Sequence, residues 1–189
     1  FIADEVQPGF ARTGQAFFGF ARHGIVPDMI TMGKPMGNGI PISGLAAKED
    51  VLAAFSDKLP YFNTFGGNPV SIAAAQAVLK YIKDENLQEH CKKAGAALLK
   101  ALKEVQERHP ESVGDVRGAG LFLGFEFVKN DGNKTPDKDM ALNVIEMLRD
   151  EHILTSVIGH YGNILKLRPP MVFSENDIDW FATSLDKCI

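Results

Sequence analysis

Lys34 is the residue of this 189-residue sequence whose type and surroundings are most suggestive of chemistry. It follows an apolar segment, residues 29–33, and precedes a Gly-Asn-Gly turn at residues 37–39. Lysine is rarely buried unless it is paired or chemically used, and a desolvated lysine can form a Schiff base. Glycines permit tight turns and let the backbone approach a ligand. The pattern fits equally well a lysine just past a strand edge, with its amine in solvent.

Asp4 and Thr64 are polar residues at places where ligands often bind. Asp4 lies in the C-terminal region of the predicted strand at residues 1–6 and 30 residues before Lys34. Open α/β sheets bind ligands at this edge, where a carboxylate can keep a pyridinium nitrogen protonated. Thr64 lies in a glycine-rich turn before a predicted helix, where a hydroxyl and free N–H groups can bind phosphate. Singly, Asp4 could also be a strand-end cap or an ion-pair partner, and Thr64 an ordinary turn residue.

Apolar runs bounded by turn signals predict the elements that position these residues. Short runs of this kind are typical of strands covered on both faces of an α/β sheet, and three are predicted, at residues 1–6, 29–33 and 42–47. Asn68 and Pro69 have the residue types of an N-cap and a first helical position, so a helix is predicted from there to about Lys83.

The second half of the sequence has a different pattern. Residues 87–108 carry apolar side chains at helical spacing, and Pro110 marks the end of that helix. The further predicted elements are a β-rich segment at 120–128, a loop at 130–139, a helix at 139–151 and strands at 153–158 and 164–167. The sequence Ser-Glu-Asn-Asp at 174–177 resembles a capping box that opens the last helix. This succession is typical of a small α+β domain, with its boundary near residues 84–86.

Composition restricts the class of function. A net charge of −4 and 45% hydrophobic residues are typical of a globular protein and argue against nucleic acid or an anionic membrane as a partner. No apolar run approaches the ~20 residues of a membrane span, and no signal peptide is recognised. Two cysteines, Cys91 and Cys188, are too few for a disulfide framework, which favours a reducing, cytoplasmic location. The five histidines lack ligand spacing, so no metal site is expected.

Taken together, the motifs resemble those of the class III (ω-type) aminotransferases, pyridoxal-phosphate enzymes of fold type I. The similarity follows the family order over essentially all of the chain, at residues 2–14, 23–28, 31–39, 64–69 and 115–121. It implies an α/β fold in which residues 1–85 are the remainder of the cofactor-binding large domain and residues 86–189 are the small C-terminal α+β domain. Family members are more than twice as long, so the chain is expected to be truncated or a fragment, with sheet edges and apolar surface exposed.

The resemblance also implies roles for individual residues. Lys34 would form the Schiff base with pyridoxal phosphate and move the proton between the substrate and the cofactor. Asp4 would pair with the pyridine nitrogen, Val6 would pack against the ring, and Gln7 would hydrogen-bond its 3-hydroxyl. Thr64 would contact the cofactor phosphate of the neighbouring subunit, which implies a homodimer or a higher homo-oligomer.

Four other motif residues are interpreted as structural. Asp115, Arg117 and Gly118 would hold a turn of the small domain. Arg12 is assigned a structural role as well, with direct substrate binding as its alternative.

The substrate side departs from the family pattern. Class III enzymes that use α-amino acids often carry an arginine three residues before a Pro-Pro pair, and here that position is Lys166. Arginine occurs instead at Arg168, which lies on the same strand face as Lys166 and could bind the substrate from a shifted position. Lysine lacks the bidentate fork of arginine, so the usual carboxylate clamp is altered. Both residues could equally be solvated cations at a strand end.

The implied activity is that of a pyridoxal-phosphate-dependent transaminase, which passes an amino group from an amine or amino acid donor to a keto acid or aldehyde. The motifs around Lys34 and Lys166 are most similar to the branch that contains alanine–glyoxylate-type aminotransferases and phospholyases. A phospholyase acting on an amino-phosphate substrate is therefore the close alternative, and the cations would suit its phosphate. A non-catalytic truncated remnant is the alternative from a different class.

Overall fold

The computed structural model describes residues 1–189 and shows a mixed α/β protein with two separate sheets. The chain divides into two compact units, Phe1–Gln88 and Glu89–Ile189. The division between the units falls between residues 88 and 89, three residues after the boundary at 85/86 that the sequence predicts. It lies inside the first turn of a long helix. Their assignment to the large and small domains of the family stays a prediction.

The first unit contains a three-stranded sheet and two α-helices. Strand β1 (Ile2–Asp4) pairs in parallel with β2 (Met29–Met32), which pairs antiparallel with β3 (Gly44–Ala47). A 3₁₀ helix (Gly19–His23), α1 (Glu49–Ser56) and α2 (Pro69–Asp84) complete the unit.

Helix α2 begins as the sequence predicts. The Asn68 side chain accepts the N–H of Ser71 at 3.0 Å, and Pro69 occupies the first helical position, where its missing N–H costs nothing. The helix ends at Asp84, one residue beyond the predicted end. Helix α1 and the 3₁₀ helix are not predicted from the sequence.

Strand β1 is shorter than predicted, and its two faces are not both covered by other parts of the chain. It is three residues long, and it lies at the edge of the sheet. The expectation of cover on both faces is wrong here, because Phe1 and Ile2 are 65% and 57% exposed while Ala3 is buried. The expected exposure of a sheet edge and of apolar surface is thus observed.

The second unit is built on a four-stranded antiparallel sheet with the order β4-β5-β7-β6. Its strands are β4 (Val113–Ala119), β5 (Phe122–Phe127), β6 (Val157–Ile158) and β7 (Ile164–Leu167), and its helices are α3 (Leu87–Arg108), α4 (Lys138–Asp150) and α5 (Glu175–Lys187). Alternate strand residues and the apolar stripes of the helices form one core, which includes Leu98, Leu102, Phe125, Phe127, Val144, Leu148, Leu165 and Leu185.

Most predicted elements of the second unit are present, and two predictions need correction. The capping box is confirmed, since Ser174 Oγ accepts the N–H of Asp177 while the Asp177 carboxylate accepts the N–H of Ser174. Strand β4 is missed, and the predicted strand at 153–158 is limited to Val157–Ile158, because Leu154 is exposed and outside the ladder. None of the helices is both long and apolar enough to cross a membrane.

Candidate active site

The parallel pair of β1 and β2 brings two of the predicted site residues to the same edge of the sheet. Asp4 is the last residue of β1 and lies opposite Thr31 of β2. Lys34 follows the end of β2 by two residues, in a turn. Both side chains are exposed, so a ligand can reach the carboxylate and the amine. This edge is formed by the carboxyl ends of the parallel strands, and it is where open α/β sheets bind their ligands.

The sequence allows Lys34 to be either a desolvated lysine or a lysine just past a strand edge with its amine in solvent, and in this chain its side chain is exposed. The lysine lies just past the end of β2, and its side chain is in solvent. Its role in chemistry stays a prediction.

The Asp4 carboxylate is oriented by its own chain neighbours and by β2. Its Oδ1 accepts the N–H of Val6 at 3.1 Å and lies 3.5 Å from the hydroxyl of Thr31. A carboxylate has about four acceptor positions, so these bonds orient it and leave capacity for a ligand. The arrangement suits a carboxylate that must meet a charged nitrogen at a defined place.

Val6 packs beside the segment that carries Lys34. A Cβ added to Gly33 would lie 3.7 Å and 3.8 Å from the two methyl groups of Val6. The structure therefore places a branched apolar side chain directly beside the backbone that precedes the lysine. Gln7 follows Val6 and is half-buried.

The turn after Lys34 requires its glycines for its own conformation. A Cβ on Gly37 would overlap the carbonyl oxygen of Ile40, and Gly39 has a φ of +108°. Both conditions exclude a larger side chain. The predicted tight turn is thus confirmed.

Thr64 lies in an exposed turn before α2, as predicted. Asn63 Oδ1 accepts the N–H groups of Phe65 and Gly66 at 3.1 Å and 3.0 Å, which shapes the turn. The hydroxyl of Ser71 donates to the carbonyl of Pro41 at 3.0 Å. This bond ties the first turn of α2 to the loop that follows Lys34.

Lys166 and Arg168 belong to the second unit, whereas the residues described above belong to the first. Lys166 lies opposite Gly124 on the sheet face that is turned away from the core residues Leu165 and Leu167. Both cationic residues line a cavity of about 520 Å³, together with His152 and residues of the apolar core.

Arg168 is held more firmly than a solvated strand-end cation. Its Cζ lies 3.7 Å from the centre of the Phe122 ring, and its Nη1 donates to the Leu123 carbonyl at 3.3 Å. A stacked, hydrogen-bonded guanidinium keeps a fixed orientation. The description as a solvated cation is therefore wrong for Arg168.

The geometry of Asp115, Arg117 and Gly118 matches a structural role. Arg117 Nη1 donates to Asp115 at 2.6 Å and to Glu126 on the paired strand at 2.5 Å, and these carboxylates raise the pKa of Arg117. Gly118 has a φ of +145°, and a Cβ there would overlap the backbone of Phe122. These contacts fix the β4–β5 hairpin.

Glu5 is a buried charged residue to which the sequence reasoning assigns no function. It is 2% exposed, and its carboxylate accepts the N–H groups of Gly19 and Phe20 at 2.7 Å and 2.8 Å. The only sequence signal is a charge next to Asp4 at the end of an apolar segment. Its partners lie at the start of the 3₁₀ helix, 14 and 15 residues away, and no periodicity in the sequence marks that helix.

Relatives of known name match the chain along its whole length. The family model "Aminotransferase class-III" matches residues 1–189. Ethanolamine-phosphate phospho-lyase homolog 1 of Caenorhabditis elegans is 44% identical, over 100% of this chain and 41% of its own length. The mitochondrial alanine–glyoxylate aminotransferase 2 homolog 2 of Arabidopsis thaliana is 41% identical, over 98% of this chain and 38% of its own length.

Solved structures show the same fold. A phospholyase from Arthrobacter, in complex with phosphoethanolamine, matches 99% of this chain and 44% of its own chain, with a TM-score of 0.94 and 40% identity. An aminotransferase of Bacillus anthracis matches the same shares with a TM-score of 0.90 and 37% identity. The chain thus spans about two fifths of the length of these relatives.

These relatives confirm the predicted resemblance, including its branch of alanine–glyoxylate aminotransferases and phospholyases. One relative is named as mitochondrial, so the cytoplasmic location stays a prediction. The chain belongs to the class III aminotransferases, a family of pyridoxal-phosphate-dependent enzymes with the mixed α/β architecture of fold type I.

Proposed function

We propose that this chain carries the cofactor-binding lysine of a pyridoxal-phosphate-dependent transaminase and that Lys34 is this lysine. The observation that supports it best is the placement of Asp4 and Lys34 after two paired parallel strands, at one edge of the sheet. An amine, a carboxylate and a branched apolar side chain are the groups that an aromatic pyridine aldehyde requires. The residues of this edge therefore fit the cofactor.

Each residue at this edge has a defined task. When bound, pyridoxal phosphate supplies an electron sink for the charge that develops as a substrate loses its Cα proton. Lys34 would hold the cofactor through its amine, and as a free amine it would take and return that proton. Asp4 keeps the ring nitrogen protonated, because an adjacent negative charge favours the charged form. Val6 packs against the ring face, and Gln7 hydrogen-bonds the 3-hydroxyl.

Thr64 is proposed to bind the cofactor phosphate of a neighbouring subunit. Its exposed turn before α2 leaves the threonine hydroxyl accessible from outside the unit, while Asn63 holds the shape of the turn. The proposal includes a homodimer or a higher homo-oligomer, in which each subunit completes the site of another.

Lys166 and Arg168 are proposed to bind the anionic group of the substrate, which is an amine donor or a keto acid or aldehyde acceptor. They share one face of the second unit, and Arg168 is held in place by Phe122 and Leu123. Arginine offers a planar, bidentate contact to an anion and lysine a compact point charge, so the two cations would give contacts of different kinds.

A phospholyase is the second candidate, and two observations favour it. One of the relatives is named as an ethanolamine-phosphate phospho-lyase homolog, and the Arthrobacter phospholyase binds phosphoethanolamine. The same lysine would take the Cα proton, and the neighbouring carbon would lose phosphate. The cations at 166 and 168 suit that phosphate. A remnant without catalysis is the remaining alternative.

One experiment separates these candidates. The purified chain is incubated with pyridoxal phosphate and assayed for amino transfer from an amine donor to a keto acid and for phosphate release from phosphoethanolamine. Amino transfer that depends on the acceptor supports the transaminase, and phosphate release without an acceptor supports the phospholyase. The Lys34→Ala variant should lose either activity, whereas Lys58→Ala, at another exposed lysine of the first unit, should keep it. Absence of both activities from the unaltered chain would contradict the enzyme and favour the remnant.

A further inference from the structure

We propose that Glu5 is a positioning residue of the cofactor site, whose buried carboxylate fastens the segment bearing Asp4, Val6 and Gln7 to the 3₁₀ helix. The proposal rests on the proposed function, because it concerns the residues assigned there to the cofactor.

The Glu5 carboxylate is buried and fully engaged at one end of the 3₁₀ helix. Its Oε2 accepts the N–H of Gly19 at 2.7 Å, and its Oε1 accepts the N–H of Phe20 at 2.8 Å. Burial of a polar group that is only 2% exposed is costly unless the group is hydrogen-bonded. The first N–H groups of a helix lack partners within the helix. The carboxylate and these two N–H groups therefore satisfy each other's hydrogen-bonding capacity.

The backbone of Glu5 is fixed as well. Its N–H donates to the carbonyl of Thr31 on β2 at 2.9 Å, and its carbonyl accepts the N–H of Gly9 at 3.3 Å. The residue is thus tied to β2, to the following loop and to the 3₁₀ helix.

Fixing Glu5 also fixes its neighbours. Successive residues of an extended segment point to opposite sides, so Asp4, the last residue of β1, faces away from the buried Glu5, and Val6 follows Glu5 in the turn. Burial agrees with this alternation, since Ala3 and Glu5 are buried while Asp4 is exposed. A cofactor site must hold its groups to within about 0.5 Å, and a buried anchor directly between two contact residues provides this accuracy.

Close packing leaves the anchor little freedom to shift. A Cβ on Gly9 would lie 2.7 Å from the Glu5 carbonyl oxygen, and a Cβ on Gly19 would lie 2.7 Å from Pro8 Cβ. Between these points the buried residues Phe10 and Ala11 have φ angles of 60° and 67°. Non-glycine residues keep such left-handed backbone only where the surroundings over-determine it. The segment from Glu5 to Gly19 is therefore a loop whose two ends are hydrogen-bonded to each other and whose interior is closely packed.

The test is Glu5→Gln, which keeps size and shape but replaces one acceptor oxygen by an N–H₂ group. One of the two N–H groups, of Gly19 or Phe20, then faces a donor. We expect amide hydrogen exchange at these two residues to accelerate at least about tenfold without cofactor. With cofactor, borohydride reduction should still label Lys34, while the pH titration of the lysine-bound absorption band shifts and kcat falls about tenfold at nearly unchanged KM. Glu85→Gln, at an exposed site, is the matched control.

The outcomes separate the two proposals. Faster exchange at Gly19 and Phe20, with an unchanged band, pH titration and kcat, would show a purely structural residue and overturn the positioning role. Failure of the unaltered chain to take up pyridoxal phosphate on Lys34 would instead overturn the proposed function. If Glu5→Gln does not fold, Gly19→Ala keeps the carboxylate and displaces the helix end from Pro8. It must shift the same titration, or the positioning role is wrong.

Discussion

At the scale of single residues, the candidate site depends on two opposite charges whose places are set by strand pairing. Parallel pairing of β1 with β2 puts Asp4 opposite Thr31 and brings the end of β2, and thus Lys34, to the same edge. The carboxylate is held by the N–H of Val6, so it keeps its direction while Lys34 extends into solvent. A hydrogen-bonded carboxylate and an exposed amine would suit their proposed tasks, because the amine would have to release the cofactor during the reaction while the carboxylate would stay beside the ring nitrogen.

Replacing Asp4 by Asn tests this division. The variant keeps the shape of the side chain but no longer stabilises a protonated ring nitrogen. We expect kcat to fall by about 10²–10³-fold, the usual loss when one electrostatic stabiliser is removed. Attachment of pyridoxal phosphate to Lys34 should persist. Steady-state kinetics and borohydride labelling measure the two effects, with Asp57→Asn, an exposed aspartate of the same unit, as control. An Asp4→Asn variant with unaltered kcat would contradict the assignment.

At the scale of elements, helix α3 meets the β4–β5 turn through two glycines. A Cβ on Gly95 would overlap the backbone of Gly120. The helix therefore lies directly on the turn of the hairpin whose strands Arg117 and Gly118 stabilise. The glycine in the middle of α3, where alanine is normally better, is explained by this contact.

Gly95→Ala should thus destabilise the protein although it improves helix propensity. Propensity alone predicts a gain of about 1 kcal/mol. The overlap with Gly120 should outweigh that gain and lower the free energy of unfolding by about 1–3 kcal/mol. Urea unfolding followed by circular dichroism measures it. At Ala97, on the exposed face of the same helix, the reverse change to Gly should cost up to about 1 kcal/mol. A stabilised Gly95→Ala variant would show that α3 does not lie against the turn.

The ends of α3 and α5 are joined by a charge cluster that predicts a pH dependence. Arg108 Nε and His109 Nε2 lie 3.0 Å and 2.9 Å from Asp186 Oδ1, and Arg108 above all lowers the pKa of Asp186 from 3.8. A lowered pKa in the folded state means that the stabilisation is complete above the ordinary carboxyl pKa and is lost as the pH falls through the folded value.

Asp186→Asn should therefore lower the urea midpoint at pH 6 and have a vanishing effect as the pH falls towards 2. The difference at pH 6 should stay below about 1 kcal/mol, because the pair is partly exposed. Asp179→Asn, an exposed aspartate of the same helix, serves as control. A difference between Asp186→Asn and the unaltered chain that is independent of pH would rule out this linkage.

The sequence predicts well those helices and strands that are determined by residues close together in the chain, such as helix caps and apolar stripes. Asn68 and Ser174 start their helices through bonds to residues three positions away, and the apolar stripe of α3 gives both of its ends correctly. Strand β4 is missed because Gly114, Asp115, Arg117 and Gly118 interrupt its apolar alternation. Its pairing with β5 is decided by tertiary contacts instead.

The same distinction holds for the candidate site. Asp4, Lys34 and Thr64 stand out because their types follow strands or turns that are visible in the sequence. The hydrogen bonds of the Glu5 carboxylate, on which its proposed anchoring role rests, are not visible in the sequence, since they depend on where the irregular loop before the 3₁₀ helix brings Gly19 and Phe20. The stacking of Arg168 on Phe122 likewise requires the register of β5 and β7.

At the scale of the whole molecule, the two units differ in how completely they bury apolar residues. The main core cluster lies entirely within Glu89–Ile189. In Phe1–Gln88 the buried hydrophobic residues are few, namely Ala3, Phe10, Ala11, Ile82 and Leu87. Large apolar side chains are exposed there instead, among them Phe1, Val26, Tyr61, Phe62, Phe65 and Val70. Exposed apolar surface of this kind marks association sites.

Expressed alone, residues 86–189 should therefore fold and unfold cooperatively. Their core is complete within the segment, so a single urea transition and dispersed amide resonances are expected. Residues 1–85 alone should show no cooperative transition and should self-associate with rising concentration, as measured by sedimentation. A cooperative, monomeric 1–85 segment would contradict this account of stability.

The most direct test of the central claim is the site at which the cofactor attaches. The purified chain is mixed with pyridoxal phosphate, reduced with borohydride and mapped by peptide analysis, with Lys34→Ala alongside. We expect a pyridoxyl group that is confined to Lys34 and absent from the variant. Labelling spread over many exposed lysines, and unchanged in Lys34→Ala, would contradict it.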